Sequence, residues 1–239
     1  MANLVQLRML EDLDGFLLVD KPAGIAYSTV VKTVKRKFNL VKVGHGGSLD
    51  TSASGLLVLL INDANKFVGD VMGADRVHSA VMRLGLRTDT HDIHGRKIGE
   101  CDQTMPSREQ FDKVLGEFRG DIFQTEPRFC SVRREGAAQY EIADTGEHSQ
   151  FMSHVYRFGV FEFAPPKVAF EVFGTKTLLV RTLVNDIGDA LGCGACLESL
   201  RRTKIGKFAV EEAISFERLL QTETGDFASC VMPLSVALR

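Results

Sequence analysis

No apolar run in the 239-residue chain approaches a transmembrane helix, which needs about 20 such residues. The N-terminus, Met1 to Asp14, carries acidic residues and no signal-peptide pattern. Both absences predict a cytoplasmic protein with no membrane partner. A paired set of cysteines is missing too. The five present, at 101, 130, 193, 196 and 230, are scattered and odd in number, which argues against a disulfide framework. Cys193 and Cys196 have the spacing of a metal or redox pair, but no second pair follows, and they read as structural thiols. Internal repeats, low-complexity tracts and linkers are absent as well. An excess of positive charge is also lacking: the net charge is −2, which by itself does not suggest nucleic acid.

What is present is an apolar fraction of 44%, enough for a full core in one large domain or two small ones. The cations are unevenly placed. From Lys21 to Leu49 stand Lys21, Lys32, Lys35, Arg36, Lys37 and Lys42, with no carboxylate. Arg201, Arg202, Lys204 and Lys207 form a second cluster, and Arg128, Arg133 and Arg134 a third. Any one cluster is an ordinary solvated surface; three around the candidate site suit a phosphate backbone.

That site is the stretch Gly44-His45-Gly46-Gly47-Ser48-Leu49-Asp50. Its glycines allow tight, restricted turns. His45 and Asp50 are its titratable side chains, and the apolar run Leu56 to Ile61 that follows has the signature of a buried strand. One ionisable carboxylate is thus held at the end of a Gly-rich loop. An Asp in a turn is more often a cap than a reacting group, so context must decide.

Upstream stands Leu18-Val19-Asp20-Lys21-Pro22-Ala23-Gly24, and downstream Leu49-Asp50-Thr51-Ser52-Ala53-Ser54-Gly55-Leu56. With Lys42-Val43-Gly44-His45 these resemble the signature of the TruB-type pseudouridine synthases, whose catalytic Asp sits in a G-x-L-D-P-x-A-T-G stretch. Arg83 to Gly95 resembles the family's L-G-x-x-T-D-T-x-D-x-x-G. Phe118-Arg119-Gly120 through Gln124, Pro127 and Ser131 resembles its F-x-G-x-x-x-Q-x-P-P-x-x-S-A segment. Val180 to Gly188, and Leu200-Arg201-Arg202-Thr203 through Gly206 and Phe208, match later blocks. The matches are collinear over most of the chain.

The resemblance implies isomerisation of uridine to pseudouridine in RNA, at uridine-55 in the tRNA T-loop, by a monomer using neither cofactor nor metal. It makes Asp50 catalytic and Arg181 its supporting cation. The base, flipped from its stack, would lie among His78, Leu179 and Leu200. RNA contacts fall to His45, Lys21, Lys42, Arg128, Arg133, Arg134, Arg201 and Arg202, with the loop-like stretch 124–148 as a clamping thumb. Members often carry an extra C-terminal RNA-binding domain; Asp226 to Arg239 is too short to be one, and a single domain over 1–239 is expected. The chain departs from the family at Thr51 (Pro), Asn65 (Thr), and His78 and Leu179 (both Tyr). Two other classes stay open: a non-catalytic RNA chaperone that remodels tRNA elbows, and a metal-dependent hydrolase using His91, Asp92 and His94. In extended chain residues 91 and 92 point apart, which disfavours the hydrolase.

Periodicity and turn signals predict an α+β fold, a mixed, mostly antiparallel sheet flanked by helices. Strands are expected at 15–20, 56–61, 76–86, 155–163, 168–173 and 177–181. Helices are expected at 64–72, 182–191 and 195–202, with others capped by Ser28 (to Phe38), Ser107 (to Phe118) and Ser215 (to Gln221). Residues 87–104 read as a long connection.

Overall fold

A computed structural model describes residues 13–100, 105–125 and 150–237 of the chain. The stretch 126–149, with Arg128, Arg133, Arg134 and most of the expected thumb, lies outside the described residues, as do Cys101 and Cys130. The strands are β1 Gly15–Lys21, β2 Val43–His45, β3 Ser54–Ile61, β4 Arg76–Leu84, β5 Leu86–Thr88, β6 Lys97–Glu100, β7 Gly120–Thr125, β8 Gln150–Ala164, β9 Lys167–Gly174, β10 Ala195–Ile205, β11 Phe208–Ala209, β12 Ile214–Ser215 and β13 Met232–Pro233. The helices are α1 Tyr27–Lys37, α2 Val68–Gly73, α3 Arg108–Leu115, α4 Val180–Ala190, α5 Phe216–Gln221 and α6 Leu234–Ala237. The sheet is mixed and mostly antiparallel, flanked by helices, as expected. By internal packing the chain divides into two compact units. One runs to Arg76 and resumes at Arg201; the other spans Val77 to Leu200.

In the first unit β3 is the central strand. It pairs antiparallel with β1 along Gly15↔Ile61 to Lys21↔Gly55, and with β2 at His45↔Leu59. Its other partner is parallel, the end of β10, at Arg201↔Ser54 and Arg202↔Gly55. The run Leu56 to Ile61 is continuous because both faces are covered. Leu57, Leu59 and Ile61 join Val30, Val34 and Phe38 in one core; Leu56, Val58 and Leu60 join Phe16, Leu18 and Phe208 in the other. Each fully buried side chain of this kind contributes roughly 1.5–3 kcal/mol before entropy is counted. Phe38 stacks on Phe227 at 3.9 Å, closing the first core.

The second unit alternates instead. Ala80, Met82 and Leu84 of β4 and Val168, Phe170 and Val172 of β9 turn inward against Phe111 of α3 and Leu183, Val184 and Ile187 of α4. β7, β8 and β9 form an antiparallel run. Among the described residues no helix is long and apolar enough to cross a membrane.

Ser107 and Ser215 cap their helices as expected, Ser107 in a full capping box with Gln110. Four expectations need correction. Residues 195–202 are not a helix but the first part of β10. The spacing of Cys196, Leu197 and Leu200 suits a helix, yet the core of the second unit takes up Ala195 and Leu197, and tertiary packing overrides local preference. Residues 177–181 are not a strand, because Val180 and Arg181 already belong to α4. Ala26, not Ser28, is the N-cap of α1, and Ser28 lies inside the helix. The connection 87–104 contains the hairpin β5–β6.

Candidate active site

β2 ends at His45 and β3 begins at Ser54, so residues 46–53 form the loop that carries Asp50. Gly46 donates from its amide to the Val58 carbonyl at 2.8 Å, and a Cβ there would stand 2.2 Å from a methyl of Val71. Gly47 has φ +133, and a Cβ there would come within 2.8 Å of the Arg76 guanidinium. Both glycines are therefore demanded by close approach. Ala53 donates to the Asp50 carbonyl (3.1 Å) and Gly24 to that of Thr51 (2.7 Å). Asp50 is half-buried at the head of this turn. His45 tilts its ring on Tyr27 at 4.9 Å, and its Nδ1 accepts from the Gly47 amide at 3.4 Å.

Two cations lie buried behind the loop. Lys21 is 0% exposed, and its Nζ donates to the carbonyls of Pro22 (2.8 Å), Ile25 (2.8 Å) and Thr51 (3.5 Å). Arg202 is 1% exposed; it donates to the carbonyls of Leu56 from Nε (2.9 Å), Ser48 from Nη1 (2.8 Å) and Gly47 from Nη2 (3.3 Å). Burial pulls the Lys21 ammonium down to about 8, with the Asp50 carboxylate opposing that shift and Arg202 adding to it. Burial lowers Arg202 as well; neighbouring Arg76 reinforces this and Asp50 opposes it. Asp50 is thus the carboxylate whose field both buried cations feel. This corrects the expectation that Lys21 and Arg202 touch RNA: a side chain sealed against carbonyls cannot reach a phosphate. Arg201 is more open, and its guanidinium grips Asp20 at 3.0 and 2.8 Å, a bond that raises its pKa. Lys42 is exposed.

In the second unit Arg181 opens α4 and donates from Nη1 to Asp92 Oδ2 at 3.2 Å; the two side chains are 16% and 13% exposed. The other Asp92 oxygen, Oδ1, accepts from Thr90 Oγ1 (3.0 Å) and the His94 amide (2.9 Å), and the Asp92 carbonyl accepts from Thr88 Oγ1 (2.7 Å). His91 sits at φ +61, its imidazole pushed down by burial and further by Arg181. Among the described residues no three metal-type side chains come together, and Asp92 serves Arg181 and its own loop. Cys193 and Cys196 are buried free thiols; burial lifts Cys196 to about 11.

His78 is 7% exposed, on the inward face of β4 with Ala80, Met82 and Leu84. Leu200 is half-buried against the same core. Leu179 is the N-cap residue of α4 and has no side-chain cap. Buried Gln124 clamps it instead, with Nε2 donating to the Leu179 carbonyl (3.0 Å) and Oε1 accepting from its amide (3.0 Å). Sequence reasoning placed Gln124 in a motif but missed this clamp. It missed the role of Arg202 for a related reason: read as a helix, 195–202 could not be registered against Gly55.

The family described as TruB family pseudouridylate synthase, N-terminal domain, matches residues 35–178. The tRNA pseudouridylate synthase B C-terminal domain matches residues 181–239. The chain belongs to the TruB family of pseudouridylate synthases.

Relatives named tRNA pseudouridine synthase B include one from Pseudomonas aeruginosa, 37% identical over 222 residues, covering 92% of this chain and 72% of the relative. Another, from Azoarcus sp., is 38% identical over 210 residues and covers 87% and 70%. Among solved structures, the chain is similar to one in a Cbf5–Nop10–Gar1 complex (TM-score 0.71, 26% identity) and one in an H/ACA RNP bound to a substrate RNA (0.69, 26%). It is matched over 97% of its length in both, and spans 63% and 62% of those chains. One departure from the TruB pattern has a structural role here. Asn65, in place of Thr, donates from Nδ2 to the carbonyls of Leu60 and Asn62 at 2.9 Å. Its Oδ1 would lie 2.1 Å from a Cβ at 44, so Gly44 and Asn65 require each other.

Proposed function

We propose that the protein isomerises uridine to pseudouridine in RNA, at uridine-55 in the T-loop of tRNA, with Asp50 as the reacting carboxylate. The observation that carries this is Asp50 at the head of a glycine loop, in the field of two buried cations, Lys21 and Arg202. Lys21 and Arg202 thus bring positive charge to the carboxylate that the reaction needs. The uracil N1–C1′ bond breaks, the base turns, C5 bonds to C1′, and the C5 proton moves to N1. Nothing is gained or lost, so the balance requires neither cofactor nor metal.

The tRNA substrate is supported by the names of the relatives, and RNA binding by the neighbouring complex with substrate RNA. Arg181 supports the reacting carboxylate if it exchanges Asp92 for it, and His78, Leu179 and Leu200 receive the everted base. Lys42 and His45 contact the RNA, as does Arg201 if it exchanges Asp20 for phosphate. Arg128, Arg133 and Arg134 act from the thumb. The protein works as a monomer in the cytoplasm.

An unmodified T-arm transcript incubated with the protein, then mapped chemically for pseudouridine, tests this reading. One modified position is expected with the wild type and none with Asp50→Asn, which should still bind. Tight binding by the wild type with no conversion at stoichiometric protein would replace the enzyme with an RNA chaperone.

A further inference from the structure

We infer that Arg202 is a positioning residue for Asp50, acting from beneath the loop through its backbone. This rests on the reading of Asp50 as the reacting group. The acceptors of Arg202 bracket that residue: Gly47 and Ser48 precede it and Leu56 follows. One planar guanidinium thereby ties both arms of the loop to β10. The anchor itself is registered, because Arg202 pairs with Gly55 across the sheet. Gly55 is at φ +104, and a Cβ there would stand 2.2 Å from the Arg202 carbonyl oxygen, so the two backbones meet as closely as glycine allows.

The chemistry asks for arginine specifically. Three carbonyls pointing from different directions need donors in a fixed fork, which a lysine nitrogen on a flexible stem does not provide. The side chain is 1% exposed, so water does not replace a lost donor. A carbonyl orphaned there carries a desolvation penalty, and the loop relieves it only by moving. All three acceptors are neutral, so the guanidinium keeps its charge at contact range; Asp50 is the carboxylate that opposes its burial. Arg202 therefore does two things at once: it fixes where Asp50 stands and supplies positive potential behind it.

The test uses the full chain with Arg202→Lys and Arg202→Gln, after circular dichroism confirms each fold. On the T-arm transcript, Arg202→Lys should lower kcat about ten- to hundredfold, the equivalent of one or two lost buried donors. KM and the salt dependence of RNA binding should hardly move. Arg202→Gln, which also loses the charge, should be slower still, so that lysine is a partial rescue. A second readout is independent of catalysis. Amide hydrogen exchange over 44–56 should be faster in Arg202→Lys than in the wild type, at unchanged exchange in β1 and α1. Wild-type kcat in Arg202→Lys with unaltered exchange would overturn the proposal. So would an intact kcat with weakened RNA binding and a flatter salt slope, which would make Arg202 a phosphate contact. If the wild type proves inactive while the exchange difference holds, Arg202 positions the loop and the assignment of Asp50 fails separately.

Discussion

Two loops in this protein each combine an aspartate with an arginine, and they use the pair in opposite ways. In the loop 46–53 the buried cations bond to backbone: Arg202 to the carbonyls of Gly47 and Ser48, Lys21 to that of Thr51. In the loop 88–95 the cation bonds to side chain, Arg181 to Asp92, whose other oxygen holds Thr90 and the His94 amide. The first arrangement brings positive charge to the loop by way of backbone carbonyls. The second engages the carboxylate as the keystone of its own loop. Sequence proximity of Asp to a glycine or threonine turn does not reveal this difference; the direction in which the neighbouring cation is bonded does.

Asp50→Asn breaks the comparison most sharply. It should lower turnover at least about a thousandfold, as loss of a reacting group does. RNA affinity should stay near wild type, because the amide keeps the shape of the side chain and removes only its charge. Retained turnover in single-turnover assays would remove Asp50 from its role. Asp92→Asn should do the reverse. It removes the charge opposite Arg181 where both side chains are mostly covered, at about 2 kcal/mol. For a domain of this size that is a drop in Tm of about 4–8 °C, measurable by calorimetry; an unchanged Tm would mean the pair is not structural.

His78→Ala follows. If the ring stacks on the base it contributes roughly 1–3 kcal/mol, so turnover should fall by about one to two powers of ten. His78→Tyr should match or exceed the wild type, and a normal rate in the alanine variant would place the pocket wall elsewhere. A subtler effect concerns Lys21, whose folded pKa of about 8 lies below its ordinary 10.5. The buried charge opposes folding, and that opposition is fully present below pH 8. Between pH 8 and 10.5 the unfolded state holds more protons, so stability should rise with pH. Measured as the wild type minus Lys21→Met, Tm should therefore climb across that window; a flat difference would mean Lys21 titrates normally. The smallest effect is on binding. Lys42→Gln should flatten the log–log salt slope by about 0.7, one single-strand phosphate contact, while leaving kcat intact.

Much of this was legible in the chain alone. The run Leu56 to Ile61 had the signature of a buried strand, the Ser107 and Ser215 caps marked their helices, and the order of motifs resembled one family. These are local signals, carried by residues within a few positions of each other. The strand Ala195–Ile205 and the burial of Lys21 and Arg202 were not legible. A cation in a sequence reads as surface unless its acceptors are known, and those of Arg202 stand some 150 positions away, at 47, 48 and 56. Chain order determined which residues could form the loop. Only the pairing of β10 with β3 decided which charge would lie behind it, because a buried guanidinium is stable only where folding brings distant carbonyls to meet it.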